Sequence, residues 1–175
     1  MGIGGVGMAG VAFLLKKAGY DVSGCDKYAT PRTRWLEANG IPVSVGHAAS
    51  HLDGIDELII TPAVPKDAPE RARAEDLSAR QALTVRFRGE VLADLVNDTF
   101  GIAICGTHGK TTTSTFTTKL LTALGDAPAW CIGGETGALP VAGSPDAAPT
   151  PRLVVEADES DGTLALYRAQ ILVVM

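Results

Sequence analysis

Three short stretches of this chain bring together residue types in orders suited to phosphate and metal chemistry. The first is Gly106-Thr107-His108-Gly109-Lys110-Thr111-Thr112-Thr113, which follows an apolar run at 101–105. A Gly-Lys-Thr sequence where a strand turns into a helix has the parts of a phosphate-binding loop. Backbone N–H groups of Gly106 to Lys110 would cradle the phosphates, the Lys110 ammonium would neutralise β and γ oxygens, and the Thr111 hydroxyl would hold Mg²⁺. Thr112 continues the first helical turn. The spacing departs from the general GxxxxGK[ST] pattern, because Ile104 stands five residues before Gly109 and the anchoring glycine is Gly106. Two roles are open to His108: contact with phosphates or substrate, or shaping of the loop by hydrogen bonding.

The second stretch, Gly2-Ile3-Gly4-Gly5-Val6-Gly7-Met8-Ala9-Gly10, satisfies GxGxxG from Gly2 and again from Gly5. Glycines there allow a tight turn and let N–H groups approach a diphosphate at the positive end of the next helix. Asp26 stands where an acidic side chain can meet a ribose hydroxyl. This pattern does not separate NAD from a UDP-sugar. The third stretch is Glu156-Ala157-Asp158-Glu159-Ser160-Asp161, directly after an apolar run. Carboxylates at a strand end near a phosphate loop are suited to ligate Mg²⁺. The other reading is an acidic surface turn.

The elements that must position these stretches follow from the hydrophobic pattern. Val-, Ile- and Leu-rich runs alternate with helical patterns, as in parallel sheets wrapped by crossover helices. Helices are predicted at 6–18, from Pro31 to before Gly40, at 69–79, 89–96 and from Lys110 to Leu124. Strands are predicted at 21–25, 42–45, 57–61, 84–87, 101–105, 129–132, 152–156 and 171–175. Residues 133–152, with their prolines and glycines, read as a long loop or a hairpin. Asn97-Asp98-Thr99 is a polar break, which divides the chain into domains 1–97 and 98–175. The fold class is α/β: a Rossmann-like parallel-sheet domain without the strand that ordinarily precedes its glycine loop, then the start of a P-loop ATPase-type α/β domain. Both ends look cut, as in an excerpt of a longer enzyme.

Composition narrows the class of partner. The 175 residues are 46% hydrophobic and 20% charged, enough to bury a core. A formal net charge of −5 gives no electrostatic reason to bind nucleic acid or an anionic membrane. No apolar run is long enough to span a bilayer, and the N-terminus lacks the pattern of a signal peptide. Cys25, Cys105 and Cys131 are odd in number and widely spaced, so they read as buried free thiols of a cytoplasmic protein.

In this order, the two loops and the acidic cluster resemble the Mur ligase family, over essentially the whole chain. Weaker matches are Gly46-His47, Thr61-Pro62-Ala63-Val64-Pro65 followed by Pro69-Glu70, and Arg88-Gly89-Glu90. Within the family they are most similar to the branch that joins L-alanine to UDP-N-acetylmuramate. The branch that recycles murein tripeptide usually has Tyr where this chain has Ser160, and a different first loop. The resemblance implies ATP-dependent amide-bond formation in peptidoglycan precursor synthesis, in the bacterial cytoplasm. The muramoyl carboxylate becomes an acyl phosphate, and the amine of L-alanine displaces phosphate. Carried over by position, Gly106, Thr107, His108, Gly109, Lys110, Thr111 and Thr112 bind ATP phosphates, with Lys110 and His108 nearest the chemistry. Thr111, Glu156 and Glu159 are the Mg²⁺ ligands it implies, and which carboxylate is the main ligand stays open. Gly4, Gly5, Val6, Gly7, Asp26 and His47 belong to the UDP-sugar, while His51 reads as solvated. Residues 139–151 and Thr163-Leu164-Ala165 depart from the family pattern. With the family's amino-acid-binding domain absent, the 175 residues are expected to bind nucleotides without ligating. An NAD-dependent oxidoreductase is the reading from another class; it rests on the first loop and Asp26 alone.

Overall fold

The computed structural model describes residues 1–61, 63–65, 67–134, 136–137, 140–144, 152–158 and 162–175. Helix α1 (Val6–Lys17) starts at Gly5, whose backbone is extended, and ends with Lys16 and Lys17, cations that suit the negative end of a helix. Strand β1 (Gly24–Asp26) follows, then α2 (Pro31–Ala38). A reciprocal cap starts α2: Thr33 N–H donates to Thr30 Oγ1 at 3.2 Å, and Thr30 N–H to Thr33 Oγ1 at 2.8 Å. Next come β2 (Val43–Val45), a 3₁₀ turn (Ala49–Leu52), β3 (Glu57–Ile60), α3 (Pro69–Ala79), β4 (Thr84–Phe87) and α4 (Arg88–Asn97).

β1 pairs parallel with β2, and β3 parallel with β4. Residues 1–3 run between the two pairs: Gly2 and Ile3 N–H donate to Cys25 O, and the Met1 nitrogen donates to Ile59 O. The glycine loop therefore leaves from the middle of this strand array, beside the end of β1.

The second half contains β5 (Phe100–Cys105), α5 (Lys110–Ala123), β6 (Ala129–Cys131), β7 (Ala142–Gly143), β8 (Arg152–Glu156), a 3₁₀ turn (Leu164–Leu166) and β9 (Ile171–Val174). Its sheet has the order β7-β6-β8-β5-β9, parallel except where β7 meets β6. Successive strand residues point to opposite faces. Ala103, Cys105, Leu153 and Val155 meet Val11, Phe13 and Leu14 of α1 and Val91, Leu92 and Val96 of α4. Ile102, Ile104 and Val154 form the other face with Leu121 of α5.

The α/β class with parallel sheets is as expected, and all five helices lie where the pattern puts them. The strand predicted at 21–25 pairs only from Gly24, whose N–H reaches Pro42 O. Of the two readings for 133–152, the described residues show a short hairpin return at β7. Gly143 lets it close, since a Cβ there would sit 2.1 Å from the Trp130 ring. Both 3₁₀ turns are new. Among the described residues no helix is long and apolar enough to cross a membrane, and all three cysteines are buried and free.

Candidate functional site

The phosphate-type loop joins β5 to α5. Gly109 caps α5 at φ 82°, and Gly106 lies at φ 120°, both in the left-handed region where glycine is favoured. A Cβ on Gly106 would lie 2.1 Å from the Met175 carbonyl oxygen, so the turn is closed against the chain that follows β9. The N–H groups at the start of α5 consequently face an open hollow of about 250 Å³, lined by residues Thr107 to Thr112 and Glu156. A 14-residue helix presents a partial positive charge there. His108 is exposed on the loop. The Lys110 ammonium donates to Gly106 O at 2.5 Å, folded back over the loop it serves.

Glu156 ends β8, the strand paired with β5, which brings its carboxylate opposite the start of α5. Thr111 Oγ1 donates to it, 3.0 and 3.1 Å from its two oxygens, and Gly133 N–H donates at 2.9 Å. Glycines at 133 and 134 leave room for this pair. A Cβ on Gly134 would come 2.8 Å from Thr111 Cγ2, and one on Gly133 3.2 Å from the Glu156 carboxyl carbon. A hydroxyl and a carboxylate side by side at a phosphate loop are hard oxygen donors, a set that fits Mg²⁺. Glu159 lies outside the described residues.

A second, larger hollow of about 670 Å³ runs from the glycine loop to this pair. Gly4, Gly5, Val6 and Gly7 line one end; Lys110, Glu156 and Asp158 line the other. Asp26 borders it too, and its Oδ2 accepts the Gly4 N–H at 2.8 Å, so it braces the loop as well as facing the cavity. Arg32 Nε donates to Gly4 O at 2.7 Å from the other side. His47 lines the cavity as well. Lys110 and Glu156 line both hollows, so the two adjoin at this ammonium and this carboxylate.

Sequence reasoning found Lys110 but missed the other cations of the larger cavity. Arg88, the first residue of α4, lies against the glycine loop, where a Cβ on Gly7 would be 3.0 Å from Nη1. Lys27 and Arg32 line the same space. Only the Arg88-Gly89-Glu90 match hinted at one of them; nothing local marks an arginine brought in from another helix.

His51 is not simply solvated: Nδ1 lies 3.1 Å from Glu70 Oε1. Glu70 is fully buried. Its burial works to raise its pKa, but donors from its own N–H, Cys25, His51 and Ala48 outweigh it and hold the value below the usual carboxylate range. Burial pushes the Cys25 thiol up to about 11, with the neighbouring Glu70 adding to it, and burial pushes Cys131 up to about 12.

Comparison with known proteins gives this geometry its relatives. The profile of the Mur ligase family, catalytic domain, matches residues 1–99. The chain is 41% identical over 174 residues to the UDP-N-acetylmuramate–L-alanine ligase of Gloeobacter violaceus, covering 99% of this chain and 36% of that protein. The same enzyme of Dechloromonas aromatica is also 41% identical, with 36% of its length covered. The chain thus spans little more than a third of the curated relatives it matches. Among solved structures it resembles the UDP-N-acetylmuramate–alanine ligase of Thermotoga maritima, with a TM-score of 0.86 and 30% identity over 99% of this chain and 39% of that one. It also resembles the UDP-N-acetylmuramate:L-alanyl-γ-D-glutamyl-meso-diaminopimelate ligase of Neisseria meningitides, with a TM-score of 0.82 and 29% identity over 99% of this chain and 58% of that one. The family profile covers more than half of the 175 residues, and the chain belongs to the Mur ligase family.

Proposed function

We propose that this chain carries the UDP-sugar and ATP sites of an enzyme that joins L-alanine to UDP-N-acetylmuramate in peptidoglycan precursor synthesis, in the bacterial cytoplasm. Residues 1–97 form a Rossmann-like domain for the UDP-sugar, and residues 98–175 are the beginning of a P-loop-type domain for ATP. The observation that carries this reading is that the two hollows adjoin at Lys110 and Glu156, which line both. A sugar diphosphate bound at Gly4–Gly7 extends its muramoyl carboxylate toward the γ-phosphate of ATP held by Gly106–Thr112.

In the proposed reaction a carboxylate oxygen attacks the γ-phosphorus, the bond to the β-phosphate oxygen breaks, and ADP leaves. The amine of L-alanine then adds to the acyl carbon and inorganic phosphate departs. Lys110 neutralises charge on the moving phosphoryl group, and the N–H groups opening α5 share it. His108 lies close enough in the loop to touch the phosphates. Thr111 and Glu156, with Glu159 as a further ligand, would hold Mg²⁺, which would supply Lewis-acid neutralisation of the phosphate oxygens. Arg88, Lys27 and Arg32 supply cations for the diphosphate, while Asp26 and His47 bind the rest of the UDP-sugar.

Relatives at 41% identity that carry the alanine-ligase name support alanine over a tripeptide as the amine. The test is ATP consumption by the gene product that contains these residues. ADP should appear only when UDP-N-acetylmuramate and L-alanine are both present. ADP release independent of them, or turnover with tripeptide but not with L-alanine, overturns the reading. So does binding of NADH by the 175-residue chain without binding of UDP-N-acetylmuramate.

A further inference from the structure

Beside the larger cavity, three side chains from separate segments converge on the carboxylate of a fourth. Cys25 comes from β1, His47 from the turn after β2, His51 from the first 3₁₀ turn and Glu70 from the start of α3. Cys25 Sγ is 3.3 Å from Glu70 Oε1; His47 Nδ1 and His51 Nδ1 are each 3.1 Å from the same oxygen. Cys25 Sγ and His47 Nδ1 are 3.6 Å apart. Ligand atoms of Cys25, His51 and Glu70 all lie within 4.8 Å of one another.

The hydrogen-bond accounting of this cluster is lopsided. Cys25, His47, His51 and the Ala48 N–H, at 2.9 Å, all address Oε1. One carboxylate oxygen has about two lone pairs to offer. Among the described residues, Glu70 Oε2 is buried with no hydrogen-bond partner. An overcrowded oxygen beside a buried, unpartnered one is an arrangement that a cation among these groups would relieve.

We propose that Cys25, His51 and Glu70, with solvent completing the shell, form a binding site for a thiolate- and imidazole-preferring divalent ion of the Zn²⁺ class, separate from the Mg²⁺ pair at Thr111 and Glu156. Sulfur and imidazole donors select such an ion over Mg²⁺. Tetrahedral bonds of about 2.0–2.3 Å put ligand atoms roughly 3.3–3.8 Å apart; the separations here, 3.1 and 3.3 Å to Glu70 Oε1 and none above 4.8 Å, reach that range by side-chain rotation. On binding, the Cys25 sulfur forms a bond to the metal and its proton leaves to solvent, while the ligating imidazole nitrogen of His51 is the unprotonated one. The Ala48 N–H stays on the carboxylate and orients it, the role of an outer-shell partner. The ion would tie β1, the first 3₁₀ turn and the start of α3 together beside the glycine loop. This proposal does not depend on the ligase reading.

The test is titration of the chelator-treated 175-residue chain with Co²⁺ under reducing conditions. Equimolar Co²⁺ should give a thiolate-to-cobalt charge-transfer band and the intense visible bands of four-coordinate cobalt, both bleached by Zn²⁺ but not by excess Mg²⁺. Cys25→Ser should abolish the charge-transfer band, whereas Cys131→Ser should keep it. His51→Asn, on an edge of the cluster where folding is least at risk, should weaken Zn²⁺ binding about tenfold or more. Absence of the band in the unmutated chain, its persistence in Cys25→Ser, or unchanged Zn²⁺ affinity in His51→Asn overturns the proposal. The unmutated chain alone decides the matter should the cysteine variant fail to fold.

Discussion

Lys110 is the residue on which the proposed chemistry most depends, because it borders both hollows and carries the positive charge at the phosphate loop. Lys110→Ala is expected to lower ATP turnover by about 10²–10³-fold, the usual cost of removing one preorganised charge-stabilising donor. The circular dichroism spectrum should be unchanged, since the hydrogen bond lost is one from a side chain to the loop carbonyl of Gly106 and the helix ladder of α5 stays. Glu70 makes a different prediction. Its folded-state pKa is below the ordinary value of 4.5, so it contributes stability above that value and loses it as pH falls through the folded one. Acid unfolding of Glu70→Gln should therefore show a flatter dependence on pH below about 4.5 than the parent, measured by denaturant midpoints.

Among elements, α1 does two jobs: it opens the glycine loop and lies against the five-stranded sheet. Gly10 allows that approach, because a Cβ there would come 2.5 Å from Cys131 Sγ. Gly10→Ala gains about 1 kcal/mol of helix propensity, while overpacking a tight core costs about 1–3 kcal/mol. The clash should win, and a thermal melt should show a lower Tm for this variant. At the other loop, Gly106→Ala combines a left-handed backbone with a Cβ 2.1 Å from Met175 O. Strain there is about 1–3 kcal/mol. Calorimetric titration should find ADP·Mg²⁺ affinity reduced about tenfold or more, as the loop can no longer keep its N–H groups in place.

For the whole molecule, the important feature is the continuous core. Side chains of α1 and α4 pack with those of β5, β6 and β8 in one cluster, across the polar break at Asn97–Thr99. The two halves should accordingly unfold together. Trp35 belongs to α2 and Trp130 to β6. Single-tryptophan variants, Trp35→Phe and Trp130→Phe, should give coincident denaturant transitions; separate midpoints would show two independent units. The alkaline limit also belongs to this core. Cys131 keeps its proton to about pH 12 when folded but loses it near 9 when unfolded, so stability falls as pH rises between those values. Cys131→Ala should lose less stability over that window in parallel melts.

The three motifs were legible because each is local. A Gly-Lys-Thr after an apolar strand, a glycine-rich turn and a carboxylate cluster at a strand end announce their chemistry within a few residues, and the alternation of helices and strands followed from short-range hydrophobic periodicity. Asp26 was legible in position but not in its brace on Gly4, which depends on how β1 ends beside the loop. Where Arg88 points, and that Cys25, His51 and Glu70 meet, could not be read locally: Cys25 and Glu70 are 45 residues apart and His51 and Glu70 are 19 apart. What the sequence determined by itself was the kind of chemistry each loop performs and the α/β alternation that presents it. Only the tertiary structure decided that Lys110 and Glu156 border two adjoining hollows, and that a buried carboxylate gathers a thiol and two imidazoles. Both depend on which strands become neighbours and which helices cover them, and packing of the whole chain settles that.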